Sequence, residues 1–128
     1  MVMNIGFFKS GNYKTVEKEI FMAKKITGVN ILKVIIETAL LTKNEIIIAS
    51  KLVEQAGAEF IKTSTGFSKP GATEEIIRLI HTSLQSKTLI KASGGIKSLK
   101  QVKKLLDAGA HRIGTSSGVI IMREIPLS

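Results

Sequence analysis

Short runs rich in Val, Ile and Phe alternate with amphipathic stretches along this chain, and that alternation leaves few architectures open. Five runs, at 1–6, 29–38, 58–63, 88–92 and 111–114, have the length and composition of buried strands. Between them Ile46, Ile47, Ala49, Leu52, Val53 and Ala56 recur at helical spacing. So do Ile76, Ile77, Ile80 and Leu84, and then Leu99, Val102, Leu105 and Leu106. The punctuation agrees. Thr42 with Glu45, and Ser98 with Gln101, have the spacing of capping boxes, in which two side chains satisfy the free N–H groups of a helix start. Thr73 followed by Glu74 and Glu75 supplies a cap and two acids to a positive helix end. Gly57 and Gly109 fall just past helix ends, where the chain turns left-handed. The predicted order is β-α-β-α-β-α-β-α-β with a short closing helix, which means parallel strands joined by right-handed crossovers.

Two regularities narrow the class. The segment AGAEFIKTSTG (56–66) lines up with AGAHRIGTSSG (108–118), so a glycine stop, a strand and a hydroxyl-rich loop recur. Lys33, Lys62 and Lys91 follow one another at intervals of 29 residues, each within or ending a strand run. A (β/α)8 barrel uses about 31 residues per unit, so the period is that of a barrel. A doubly wound sheet has a similar period and is the alternative. A closed barrel needs eight strands, and five are predicted here.

Composition excludes several classes. A length of 128 residues is that of one domain, and an apolar fraction of 44% is too high for disorder. The absence of cysteine removes disulfides, thiolate metal sites and thiol catalysis. No run is long and apolar enough for a membrane span, and the first residues lack the pattern of a secretory signal. A cytoplasmic protein is expected. The formal charge is +9, but the lysines are scattered without aromatic interleaving, the pattern of a solvated surface. Neither nucleic acid nor membrane is an expected partner.

Lysine is the residue type that carries chemistry here. Lys62 follows Phe60 and Ile61, and Lys91 follows Leu89 and Ile90, so each ammonium must be compensated, deprotonated or extended to solvent. Burial and a neighbouring cation both lower a lysine's pKa, and the neutral amine is the form that attacks a carbonyl. Barrel active sites lie at the C-terminal ends of the strands, where both lysines are predicted. The loops that follow, 63–66, 93–95 and 114–118, are rich in glycine and hydroxyls, the groups that let a backbone approach and bind phosphate oxygens. If the last two predicted strands are the seventh and eighth of a barrel, Gly94, Gly95, Gly114, Ser116 and Ser117 fall where barrels hold phosphate.

The runs ILKVIIETALLT (31–42), AGAEFIKTSTGF (56–67), GAT (71–73), IKASGGIKS (90–98) and AGAHRIGTSSG (108–118) closely resemble deoxyribose-phosphate aldolases, and the opening MVMNIGFFKSG resembles that family's fourth strand and the loop after it. The resemblance spans essentially the whole chain, and KTSTGF with KASGGI is its most specific part. It implies an α/β fold of the parallel (β/α)8 barrel type. It also implies a class I aldolase, which needs no metal or other cofactor. Such an enzyme reversibly cleaves 2-deoxy-D-ribose 5-phosphate into glyceraldehyde 3-phosphate and acetaldehyde. By this resemblance Lys62 is the Schiff-base lysine, Lys91 is the second lysine whose charge lowers the pKa of the first, and Lys33 lines the pocket. Substrate binding falls to Thr65, Gly66, Gly94, Gly95, Gly114, Ser116 and Ser117. The implied partners are the phosphorylated sugar and aldehyde substrates.

Two departures qualify the expectation. Where the family commonly has Ile-Arg-Thr, this chain has Ile96, Lys97 and Ser98, and lysine lacks the bidentate fork of arginine. The family's proton-relay aspartate would fall just before Met1, and Asp107, the sole aspartate, is predicted on a helix. Residues 1–128 are therefore expected to form a single partial barrel domain, equivalent to the fourth to eighth strands and lacking the first three βα units. The alternative to an active aldolase is a truncated or split-gene remnant, inactive alone, or a phosphate-binding half-barrel. Such a piece would work as a homo-oligomer or with a complementing N-terminal fragment.

Overall fold

The computed structural model describes residues 1–85 and 87–126. Its elements run α1 (Ile5–Lys9), α2 (Tyr13–Thr27), β1 (Lys33–Ile35), a 3-10 turn (Thr38–Leu40), α3 (Lys43–Gln55) and β2 (Phe60–Lys62). Then come α4 (Glu74–Ser83), β3 (Leu89–Ser93), α5 (Leu99–Asp107), β4 (Arg112–Gly114) and α6 (Gly118–Arg123). The four strands form one parallel sheet in the order β1-β2-β3-β4. Strand order equals chain order, so every crossover advances in the same direction. Right-handed connections then place α3, α4 and α5 on one side of the sheet. A doubly wound sheet needs a reversal of strand order and helices on both faces, so the barrel is the architecture this topology satisfies.

The first predicted strand is shorter than its composition suggests. Val2 makes an isolated parallel bridge with Ile35, Met3 N–H donates to the Ile35 carbonyl, and Ile35 N–H donates to the Met1 carbonyl. Pairing stops at Asn4, whose side chain accepts from Phe7 N–H and starts α1. Residues 1–3 thus occupy a fifth parallel position beside β1 without forming a full strand. The run at 29–38 contracts in the same way to Lys33–Ile35: Gly28 caps α2, Val29 is fully exposed, and Glu37 turns left-handed.

The helix signals hold. Both capping boxes are present, Thr42 with Glu45 and Ser98 with Gln101, and Thr73 caps α4. Gly57 and Gly109 take positive φ just past the ends of α3 and α5. Alternate strand residues Val34, Ile36, Ile61, Ile90 and Ala92 are buried against Ile46, Ala49, Val53, Ile77, Ile80 and Leu105 of the helices. Leu106 is the exception to the predicted apolar stripe and is exposed. It is one residue past Leu105, which turns it about 100° off the buried line. Among the described residues no helix is long and apolar enough to cross a membrane.

The core therefore consumes one face of the sheet. The other face carries Lys33 and Ile35, Phe60 and Lys62, Leu89 and Lys91, and Arg112 and Gly114.

Candidate active site

Register decides which of these side chains meet. Ile35 pairs with Lys62, Lys62 with Lys91, and Lys91 with Arg112. Lys62 and Lys91 therefore stand side by side on one level of one face. Both line a cavity of about 480 Å³ at the C-terminal ends of the strands. The same cavity is lined by Thr65, Gly66, Ser93, Gly94, Gly95, Ile96, Lys97, Gly114, Thr115 and Ser116. Of the residues singled out from the sequence, Ser117 and Lys33 stand outside this lining. Ser117 is the N-cap residue of α6. Lys33 pairs with Phe60, one layer below Lys62, with its amine 5.8 Å from the Phe60 ring centre. The interval between Lys33 and Lys62 equals that between Lys62 and Lys91, but β1 is staggered by two residues, as strands in a barrel are.

The face is strongly cationic. Arg112 lies 4.7 Å from the Phe60 ring centre, so that buried ring is flanked by two cations. Among the described residues the ion pairs are Lys9–Glu45, Lys24–Glu59, Lys43–Glu75 and Lys104–Glu74, and none uses Lys33, Lys62, Lys91 or Arg112. Partial burial, and then the positive charges of Lys62, Lys33 and Arg112, hold the Lys91 amine below the ordinary lysine pKa.

Glycine shapes the site at two points. A Cβ on Gly114 would stand 2.9 Å from Lys91 Cε and 3.2 Å from Ser93 Cβ, so the bare backbone makes room for the Lys91 side chain. A Cβ on Gly71 would stand 2.1 Å from the Gly94 carbonyl oxygen. That close approach lets Ala72 N–H reach the carbonyls of Ser93 and Gly94 and dock the loop before α4 on the loop after β3.

Buried hydroxyls tie the strand ends together. Thr63 Oγ1 donates to the Ser93 carbonyl at 3.0 Å and accepts from Ser93 N–H at 3.1 Å. Ser93 Oγ donates to the Ser64 carbonyl at 2.7 Å. These bonds join the residues immediately after Lys62 to those just beyond Lys91. Just past β4, Thr115 Oγ1 donates to the Ile96 carbonyl and accepts from Ser117 N–H.

Ser93, Ile96, Thr115 and Glu37 are the parts of the site given no role from the sequence, and Lys97, noted there only as standing in place of arginine, lines the cavity. Glu37 is 5% exposed and its carboxylate accepts from Thr65 N–H and Thr65 Oγ1. The sequence does hold a signal for it: a carboxylate closing the apolar run Val34-Ile35-Ile36 is as conspicuous as a lysine closing a strand.

Two amines on one wall of a cavity rimmed by glycines and hydroxyls are groups chemically able to add to a carbonyl and to donate hydrogen bonds to an anion, and they stand on a sheet with barrel topology. Comparison with known proteins places the chain more closely. A family model described as DeoC/LacD family aldolase matches residues 1–127. The chain is 55% identical over 122 residues to the deoxyribose-phosphate aldolase of Mycoplasmopsis pulmonis, covering 95% of this chain and 56% of that protein. It is 52% identical over 124 residues to the deoxyribose-phosphate aldolase of Mycoplasma mobile, covering 97% and 57%. Among solved structures, the aldolase QR15 superposes with a TM-score of 0.91 at 45% identity, over 96% of this chain and 56% of that one. The deoxyribose phosphate aldolase of Aeropyrum pernix, described as tetrameric, superposes with a TM-score of 0.78 at 28% identity, over 87% and 49%. The protein belongs to the DeoC/LacD aldolase family. It spans about half the length of the curated relatives it matches.

Proposed function

We propose that this chain carries the Schiff-base and phosphate-binding portion of a deoxyribose-phosphate aldolase site. The pairing of Lys62 with Lys91 at one register level, inside one cavity, is the observation that supports it most. The Lys62 amine, after giving up its proton, attacks C1 of open-chain 2-deoxy-D-ribose 5-phosphate. Loss of water from the carbinolamine leaves an iminium, which acts as an electron sink. The 3-hydroxyl gives up its proton, the C2–C3 bond breaks, and its electron pair moves into the C1–C2 bond as the iminium becomes an enamine. Glyceraldehyde 3-phosphate departs. Protonation at C2 and hydrolysis then release acetaldehyde and restore the amine.

Lys91 has the environment of a proton carrier for these steps, because its lowered pKa brings its protonation change toward neutral pH. Lys62 is assigned the covalent role because it sits in the KTSTG motif that resembles the family's Schiff-base segment. The phosphate is assigned to Gly66, Gly94, Gly95, Gly114 and Ser116 of the cavity lining and, on the family resemblance, to Ser117 beside it, with Thr65 at the same rim and Lys97 adding charge from the cavity wall. Lys33 sets the potential of the face from the layer below.

The test is reductive trapping. With 2-deoxy-D-ribose 5-phosphate and borohydride, the intact protein should gain one covalent adduct, and Lys62→Leu should lose it. An unmodified wild-type protein, or a Lys62→Leu protein that still gains the adduct, would contradict the proposal.

A further inference from the structure

We infer that Glu37 is a positioning residue for the cavity rim, its buried carboxylate holding Thr65 and Gly66 beside the two lysines. The carboxylate is an acceptor with two oxygens, and both are used. Thr65 N–H lies 3.2 Å from Oε1 and 3.4 Å from Oε2, while Thr65 Oγ1 donates to Oε2. Thr65 Oγ1 accepts in turn from Phe67 N–H at 3.2 Å. The carboxylate thus holds Thr65 directly and Phe67 through the Thr65 hydroxyl, with Gly66 between them, and Thr65 and Gly66 line the cavity. The backbone is stitched alongside, with Thr38 N–H donating to the Thr63 carbonyl at 2.9 Å.

Two further observations favour a dedicated role. Glu37 is the one non-glycine residue with positive φ among the described residues, at φ 51 and ψ 67. Glycine would adopt that conformation without strain, so the position trades backbone ease for a side chain. The carboxylate is also buried outside the four ion pairs found among the described residues, and charge-assisted bonds from Thr65 compensate it. Glutamine would keep only part of this arrangement. Its amide has one acceptor oxygen in place of two, so Thr65 N–H and the Thr65 hydroxyl proton could no longer each have a separate charged acceptor.

The clamp stands on these contacts alone, while its effect on substrate rests on the proposed aldolase reading. The experiment separates the two by comparing wild type with Glu37→Gln, Thr65→Val and Thr65→Ser. Amide hydrogen exchange read by NMR should quicken by about tenfold or more at Thr65 and Phe67 in Glu37→Gln, and at Phe67 in Thr65→Val. Thr65→Ser, which keeps the hydroxyl, should match wild type. In trapping assays, Glu37→Gln should need several-fold more 2-deoxy-D-ribose 5-phosphate for half-maximal labelling. Labelling of Lys62 by acetaldehyde, which has no group to reach the rim, should change little. Unchanged exchange in Glu37→Gln would overturn the clamp, and an equal loss with both ligands would overturn positioning in favour of general destabilisation. If wild type traps neither ligand, the aldolase reading fails and exchange alone decides the clamp. If Glu37→Gln does not fold, the contrast between Thr65→Val and Thr65→Ser decides it.

Discussion

Lys91 shows how a single side chain records its neighbourhood. Its amine is pressed by burial and by Lys62, Lys33 and Arg112, and so loses its proton more readily folded than unfolded. Between the lowered folded value and the ordinary unfolded one, the unfolded chain holds more protons, and stability rises with pH across that interval. Below it both states are protonated and the folded state bears the full repulsion. Urea unfolding from neutral pH to about pH 11 should show this rise in wild type. Lys91→Met should unfold at higher urea than wild type at neutral pH and should lose the alkaline rise; the opposite order would contradict the repulsion. Residue identities announced this pair well, because a lysine closing an apolar strand stands out against its neighbours. They did not announce that Lys33 lies a layer lower, since chain spacing counts residues and stagger between strands does not appear in the count. Glu37 closes its apolar run just as visibly, but its partner could not be read there, because the contact is with Thr65, 28 residues away in sequence.

At the scale of elements, local chemistry was the reliable guide. Thr42 accepts from Glu45 N–H at 3.2 Å, and Glu45 accepts in return from Thr42 N–H at 2.7 Å while also meeting Lys9. Thr42→Ala should therefore cost about 1 kcal/mol in chemical denaturation. Thr42→Ser should cost much less, and equal losses for the two would contradict a capping role. Helix starts and stops were legible because caps act within four residues. Strand ends were less so. The run at 1–6 has strand composition, yet Asn4 converts it to a helix start after three residues, and the side-chain bond that does this competes with the ladder.

Across the whole molecule, the sheet buries one face completely and leaves the other partly open. Val119, Ile120 and Met122 on α6 are 68%, 60% and 65% exposed, and Met1 and Val2 are also exposed beside β1. Among the described residues, no strand pairs with the outer edge of β4. Apolar surface next to an unpaired edge favours association, so sedimentation velocity at about 10 µM should show species larger than the monomer. A single monomeric boundary would contradict that expectation. The parallel class was legible from periodicity, because right-handed crossovers leave little choice once strands and helices alternate; the barrel was separated from a doubly wound sheet by the family resemblance and then by the strand order. How far the sheet closes was not legible, since closure depends on what meets its edges.

The central claim is that Lys62, in company with Lys91, is the amine that captures the aldehyde. Its most direct test treats the full chain with limiting acetaldehyde and cyanoborohydride and follows ethylation of every lysine by peptide mass spectrometry. Lys62 should be modified before any other lysine, and added 2-deoxy-D-ribose 5-phosphate should protect it. Modification of Lys91 first, or uniform modification of the surface lysines, would contradict the account.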